Sequence, residues 1–297
     1  MLSSLIRTVL IFTVLGCESE REKMSFEAHD LNFIDIIAED GHVLADPLGR
    51  YVLTHNFQIM STELDQESFT YVMGYDSRKD KTGAHTGSPQ LPATQVNWHM
   101  AAQFANVWSQ YHHLETCYVC EGFTTEVTCE ERSDLDNIYA CNGYRLPTEA
   151  EWEIAARSGT RSEFWTGEGS ALGGNYDWDH CDGDETLTDG MENPSLINFA
   201  WYCGNNDPDG PKEVGSLEPN GYGLYDVHGN VWEWMHSSDE NFPASDVDPI
   251  TEFGAQKVLR GGAFHNNPFD LRLSFRSTYA PTLRLSGYGF RLAKTLH

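Results

Sequence analysis

Asn220-Gly-Tyr-Gly-Leu-Tyr-Asp-Val-His-Gly-Asn-Val-Trp-Glu-Trp234 is the stretch on which the fold turns. It sets Asp226 and Glu233 on either side of a glycine-containing turn at Gly229 and ends in two tryptophans, Trp232 and Trp234. Upstream lies a second long pattern, Gly143-Tyr-Arg-Leu-Pro-Thr-Glu-Ala-Glu-Trp-Glu153. In it Thr148 and Glu151 have capping-box spacing, in which hydroxyl and carboxylate satisfy each other's backbone N–H groups at the start of a helix. Trp152, Ala155 and Ala156 continue that helix, and Gly159 is expected to stop it.

Working outward, Asp65 caps a second helix that carries Phe69, Val72 and Met73 and stops at Gly74, and Asn97 caps a third with Ala101, Phe104, Ala105 and Trp108. Strand-like runs follow late, at Lys257 to Leu259, Leu271 to Tyr279 and Gly289 to Lys294. Between Gly159 and Lys257 the chain is rich in Gly, Asn, Asp and Trp with few periodic runs, a stretch that a compact domain holds only with disulfides, metals or aromatic plugs. No linker interrupts the chain after about Tyr51, so a single domain is read over 50–297, preceded by a polar tether or loosely attached first strand over 17–49.

The two long patterns, followed by Arg260-Gly-Gly262 and Gly289-Phe-Arg291, resemble the formylglycine-generating enzyme family, also called sulfatase-modifying factor domains, over roughly residues 50 to 296. The resemblance implies an α+β domain of C-type-lectin-like type, poor in regular structure and often calcium-bound. The family's oxidases bind copper through two cysteines shortly after the Arg-Gly-Gly motif. Here those positions hold Asn266 and Leu271, and no cysteine follows Cys203. Soft thiolates suit Cu(I), whereas an amide is a poor substitute and an isobutyl group is none, so copper is not expected. Asp226, Gly229, Val231 and Glu233 stand where the family's enzymes hold calcium through two side chains and two carbonyls. Asn205, Asp207 and Asp209, followed by Gly210, mimic half of an EF-hand loop, but Ser216 stands where its closing glutamate belongs, which favours a solvated turn. The H-x-D spacing of His180 and Asp182 is a chance product of an acidic loop. Trp232, Trp234, His236, His265, Asn266 and Arg276 are the expected lining of a ligand cleft.

Lys and Arg number 19 against 45 Asp and Glu, a net charge of −26, which argues against a nucleic-acid partner because phosphate binding needs a basic face. At the N-terminus, Arg7 and the apolar run Val9 to Leu15 are too short to span a bilayer and read as a signal peptide over 1–16. It ends in Val14-Leu15-Gly16-Cys17, which resembles a bacterial lipobox, so Cys17 is the expected lipidation site and a lipid anchor the only membrane contact. The expected location is the bacterial cell envelope, at the outer membrane or cell surface. Six cysteines remain, an even number in an exported chain, and they allow fifteen pairings. The expected set is Cys120 with Cys129 across a hairpin, Cys117 with Cys141 at its base, and Cys181 with Cys203; Cys117-x-x-Cys120 lacks the second C-x-x-C that zinc would require. Three functions compete: a non-catalytic lipoprotein that binds a peptide, protein or small molecule as a monomeric domain, a catalyst with an unrecognised site, and a ligand-display protein diversified at its C-terminal segment by a retroelement.

Overall fold

Side-chain caps start the three long helices where the sequence places them. The computed structural model describes residues 31–38, 44–79, 87–167, 181, 186–187, 191–192, 196–239, 246–251 and 254–297. Asp65 accepts from the Ser68 N–H at 2.7 Å and opens α1 (Gln66–Met73), which Gly74 closes at φ 74°. Asn97 accepts from the Met100 N–H at 2.8 Å and opens α2 (Trp98–Tyr111). Both halves of the Thr148/Glu151 capping box are formed at α3 (Glu149–Arg157). That helix ends one residue earlier than expected, on Ser158 at φ 42°, whose N–H reaches the Ile154 carbonyl and whose hydroxyl accepts from Gly221. A short α4 (Leu196–Phe199) completes the set.

The strands are short, in the order β1 (Phe33–Ile36), β2 (Leu44–Ala45), β3 (Tyr51–Leu53), β4 (Asn56–Met60), β5 (Tyr118–Glu121), β6 (Thr128–Glu131), β7 (Thr186–Leu187), β8 (Met191–Glu192), β9 (Trp232–Ser238), β10 (Asp246–Val247), β11 (Lys257–Arg260), β12 (Ser277–Tyr279), β13 (Tyr288–Gly289) and β14 (Ala293–Leu296). They form a β1-β4-β14 sheet, a β10-β3-β2 sheet, a β12-β11-β9-β13 sheet and the hairpins β5-β6 and β7-β8. The central pairing sets Leu259 opposite Trp234 in β9, which is buried along its whole length. The architecture is thus the expected α+β domain with long irregular connections.

Three expectations are corrected here. The domain starts well before residue 50: β1 pairs antiparallel with β4 from Phe33↔Met60 to Ile36↔Phe57, and Asn32–His297 form one compact unit. Four apolar-rich residues are too few to announce a strand until the partner edge is known. Within Leu271 to Tyr279 only β12 is a strand, because Leu271 turns inward and the Leu273 N–H bonds the Glu163 carbonyl rather than a neighbouring strand. The run from Gly289 to Lys294 divides into β13 and β14 around Arg291, whose side chain is fully buried. The expected signal peptide and Cys17 lie outside the described residues, as do His180 and Asp182.

The structure pairs Cys117 with Cys141, Cys120 with Cys129 and Cys181 with Cys203. The first two fix the β5-β6 hairpin and its base, where Cys120 and Cys129 are opposite each other in register. The third ties the irregular stretch to the Trp201 segment beside a satellite core of Phe164, Leu196, Phe199, Ala200, Tyr202 and Leu271.

Candidate functional site

Three glutamates two residues apart on α3 point to different sides of the helix, and each meets an arginine, which for Glu149 and Glu153 comes from other parts of the chain and for Glu151 from its own motif. Glu149 bonds Arg260 at 3.0 Å and Arg276 at 3.0 Å. Glu151 takes both arms of Arg145 at 2.7 Å, and His55 approaches at 3.3 Å. Glu153 accepts from Arg157 at 2.8 Å and Arg50 at 2.6 Å and faces Arg260 at 3.0 Å. A fourth pair joins β9 to the C-terminal motif: Arg291 donates to Glu233 at 2.6 and 2.8 Å, and the Trp152 indole N–H adds a bond at 3.0 Å. All four carboxylates are buried. Burial pushes Glu151 up, but the charge and hydrogen bonds of Arg145 outweigh it and hold the carboxyl well below its ordinary value. Glu153 is likewise lowered, with Arg260, Arg157 and Arg50 together overcoming burial. Forked guanidinium pairs of this kind are geometrically specific, and removal of one partner leaves an uncompensated buried charge. The arginines and glutamates of these motifs are therefore the frame of the fold.

The side chains of the expected calcium set have protein partners in the structure. Glu233 already has its cation in Arg291, and Asp226, at φ 57°, accepts from the Gly215 N–H at 2.7 Å. The Gly229 N–H bonds the Gly261 carbonyl and the Val231 N–H bonds Glu63 at 2.9 Å. Glu63 is the residue that sequence reading misses; it also accepts from Asn230 at 2.6 Å and is fully buried. Glu63 and Asp226 thus lie within the field of the guanidinium that Glu233 binds. Burial, reinforced by Asp226 and Glu233, pushes Glu63 well up, and burial pushes Asp226 up to about 6 against the opposing Gly215 N–H and Arg291. No sequence pattern marks Glu63, because its partners lie 167 and 168 positions away. Among the described residues no three His, Cys, Asp or Glu side chains form a metal-ligand group.

In the second candidate, Asn205 bonds the Tyr202 N–H and the Ala200 carbonyl, Asp209 accepts from Asn206, and Asp207 is exposed. Lys212 takes the oxygens of this loop instead.

The expected cleft residues do not share one surface. Trp234 is in the core with its indole N–H on the Val96 carbonyl. His236 is buried between Tyr118 (3.2 Å) and Glu131 (3.1 Å), and burial lowers its pKa against the pull of Glu131. Trp232 is nearly buried, Arg276 is held by Glu149, and His265 is exposed. Asn266 accepts from Ala263 N–H at 2.9 Å and donates to Asp270 at 2.8 Å, so its amide pins a turn. Leu271 is inaccessible in the satellite core, and its carbonyl faces His228 Nδ1 at 2.7 Å. Burial holds that histidine down at about 4, so it packs neutral. Neither the engaged amide nor the buried isobutyl group fits copper, and all six described cysteines are in disulfides.

A profile of the Sulfatase-modifying factor enzyme 1-like domain matches residues 25–296, and the chain belongs to that family. It is 28% identical over 250 residues to the Chaperone protein LppX of Paenibacillus barcinonensis, covering 79% of this chain and 84% of that protein. It is 31% identical over 220 residues to the Formylglycine-generating enzyme of Streptomyces coelicolor, covering 70% of this chain but 54% of the enzyme. The chain therefore spans about half the length of that enzyme. Among solved structures it is similar to Treponema denticola variable protein 1, with a TM-score of 0.66 and 26% identity over 90% of this chain and 95% of that one.

Proposed function

We propose that this chain is a non-catalytic binding or scaffold protein on the formylglycine-generating-enzyme fold, exported and anchored through a lipid on Cys17. The observation that carries the reading is the pair Asn266 and Leu271: one side chain pins a turn and the other fills the core where the family's oxidases place thiolates. Three disulfides support an oxidising compartment. The near full-length match to a protein named as a chaperone, against half-length coverage of the Streptomyces enzyme, supports a role without turnover. The net charge of −26 favours a peptide, protein or small molecule over nucleic acid. The turn with exposed His265 and half-buried Asn266 is the place where such a ligand meets the family's former metal position.

The test is copper-loaded full chain incubated with a peptide containing Cys-x-Pro-x-Arg, read by mass spectrometry for conversion of thiol to aldehyde. No conversion above a protein-free control is expected; turnover would overturn the reading. A second reading, display of a variable ligand surface, is favoured by the similarity to Treponema denticola variable protein 1. A reverse transcriptase beside the gene, with a near-copy of the gene's 3′ end, distinguishes it.

A further inference from the structure

We propose that the Asn206–Gly210 loop is a cation cup whose resident cation is the chain's own Lys212 ammonium. Lys212 Nζ donates to Asn206 Oδ1 at 3.0 Å, the Pro208 carbonyl at 2.5 Å and the Gly210 carbonyl at 2.9 Å. A lysine ammonium has three N–H donors and no acceptor, so these three oxygens use its donor capacity in full. The Trp201 ring lies 5.7 Å from the same nitrogen, within the range of a cation–π contact.

The cup is organised around that nitrogen from both sides. The Asn206 carboxamide is oriented by two further bonds: its Oδ1 also accepts from the Gly210 N–H at 3.0 Å and its Nδ2 donates to Asp209 at 2.7 Å. The lysine backbone is clamped by Asn230, whose Oδ1 takes the Lys212 N–H at 2.9 Å and whose Nδ2 reaches the Lys212 carbonyl at 3.3 Å. Asn230 in turn is bonded to buried Glu63 and, through its own N–H, to the Trp201 carbonyl. Desolvation draws the Lys212 pKa below its ordinary value, while Asp209 and Asp207 push back.

Carbonyl and amide oxygens gathered on a short turn are the donors a hard cation selects, and here Asn206, Pro208 and Gly210 supply them from the positions between and after Asn205, Asp207 and Asp209. Here the cation is covalently supplied by the residue two positions after the glycine. The loop is therefore ordered without a divalent ion, and the site's ligand class is a primary ammonium. Truncation at Cβ should leave a vacancy shaped for n-propylammonium, the part of the side chain that is removed.

The experiment compares thermal melts of the full chain and its Lys212→Ala variant in propylammonium chloride and, at equal ionic strength, tetramethylammonium chloride. The variant is expected to melt several degrees below the parent and to recover in propylammonium, with no recovery in tetramethylammonium, which has no N–H to donate. Equal melting of variant and parent, or equal response to the two salts, would overturn the proposal. A second measurement needs no variant: acetylation of the native protein, read by peptide mass spectrometry, should modify Lys212 about tenfold or more slowly than the exposed Lys79, since charge-assisted hydrogen bonds must break first. Equal rates would sink the idea even if Lys212→Ala fails to fold.

Discussion

The centre of the molecule and the loop at Asn205–Lys212 both fix charges in place, the one buried and the other half-buried, but by opposite means. At the centre, Glu149, Glu151, Glu153 and Glu233 are each matched to arginines, of which Arg260 and Arg291 come from remote points of the chain and Arg145 from six residues before Glu151. In the loop, one ammonium is held by a neutral amide and two backbone carbonyls within six residues. Long-range pairs weld separate elements, whereas the local cup shapes only its own turn. The motifs that make the family recognisable belong to the first kind, so they report the frame and say little about chemistry. Asn266 and Leu271, the positions at which the family's thiolates are replaced, fall just after one of those motifs and are held by a turn and by the satellite core instead.

The comparison is broken most directly at the centre. Glu233→Gln leaves the Arg291 guanidinium buried with a neutral partner and is expected to cost about 3–5 kcal/mol, as for other ion pairs from which one buried member is removed. Urea unfolding followed by circular dichroism measures this. The same loss is expected in calcium and in chelator, because the carboxylate's cation is the arginine. A loss under about 1 kcal/mol would place Glu233 in the same energetic class as an exposed pair and undo the distinction between centre and loop.

Covalent closure is the next effect in size. Replacing Cys117 and Cys141 together by alanine reopens a link across 24 residues and is expected to cost about 2–4 kcal/mol. The loss should appear as a lower urea midpoint. It should exceed the loss from opening Cys120–Cys129, which spans 9 residues, because the closed loop is longer. Reversal of that order would show that the hairpin, not its base, carries the constraint.

Sequence alone makes legible what is locally encoded. Asp65, Asn97 and Thr148 each cap a helix through a partner three residues on, and the helices begin where those side chains say. The hairpin puts Cys120 opposite Cys129, as the structure has them, but with fifteen pairings open the sequence does not itself fix the other two. Long-range partnership is not legible in that way. The alternation of Leu271, Leu273 and Phe275 mimics a strand, yet the Leu271 N–H closes a turn on the Pro268 carbonyl and the Leu273 N–H bonds Glu163. The spacing of Asn205, Asp207 and Asp209 reads as a solvated turn and does not reveal that Asn206, Pro208 and Gly210 beside them hold the Lys212 ammonium. The expected cleft fails for the same reason: strand alternation cannot distinguish a face that lines a cavity from one that meets α2 or α3, and β9 is covered on both. Asp226 and Glu233 are read from the sequence as calcium ligands, whereas their surroundings include Glu63, which only the folded chain brings near.

That carboxylate group gives the finest test. Three buried acids lie within the field of Arg291, and Asp226 is the member whose ionisation is pushed up to about 6 by burial. In the unfolded chain the same group titrates near its ordinary value of 3.8. Between those values the folded chain binds the extra proton, so stability falls as pH rises through the window, and the cost of ionised Asp226 is present in full above pH 6 and absent below 3.8. Asp226→Asn keeps an oxygen to accept the Gly215 N–H while removing the charge. The variant is therefore expected to be more stable than the parent by on the order of 1 kcal/mol at pH 8 in chelator, with the advantage gone by about pH 3.5. Thermal melts across that range decide it. If calcium were instead the partner of Asp226, the substitution would lose a ligand, and in excess calcium the variant would melt below the parent at pH 8. A flat difference across pH would mean that the Asp226 carboxylate is matched by a charge other than Arg291, and that the crowded acids beside Glu63 are no weaker a frame than the paired glutamates of α3.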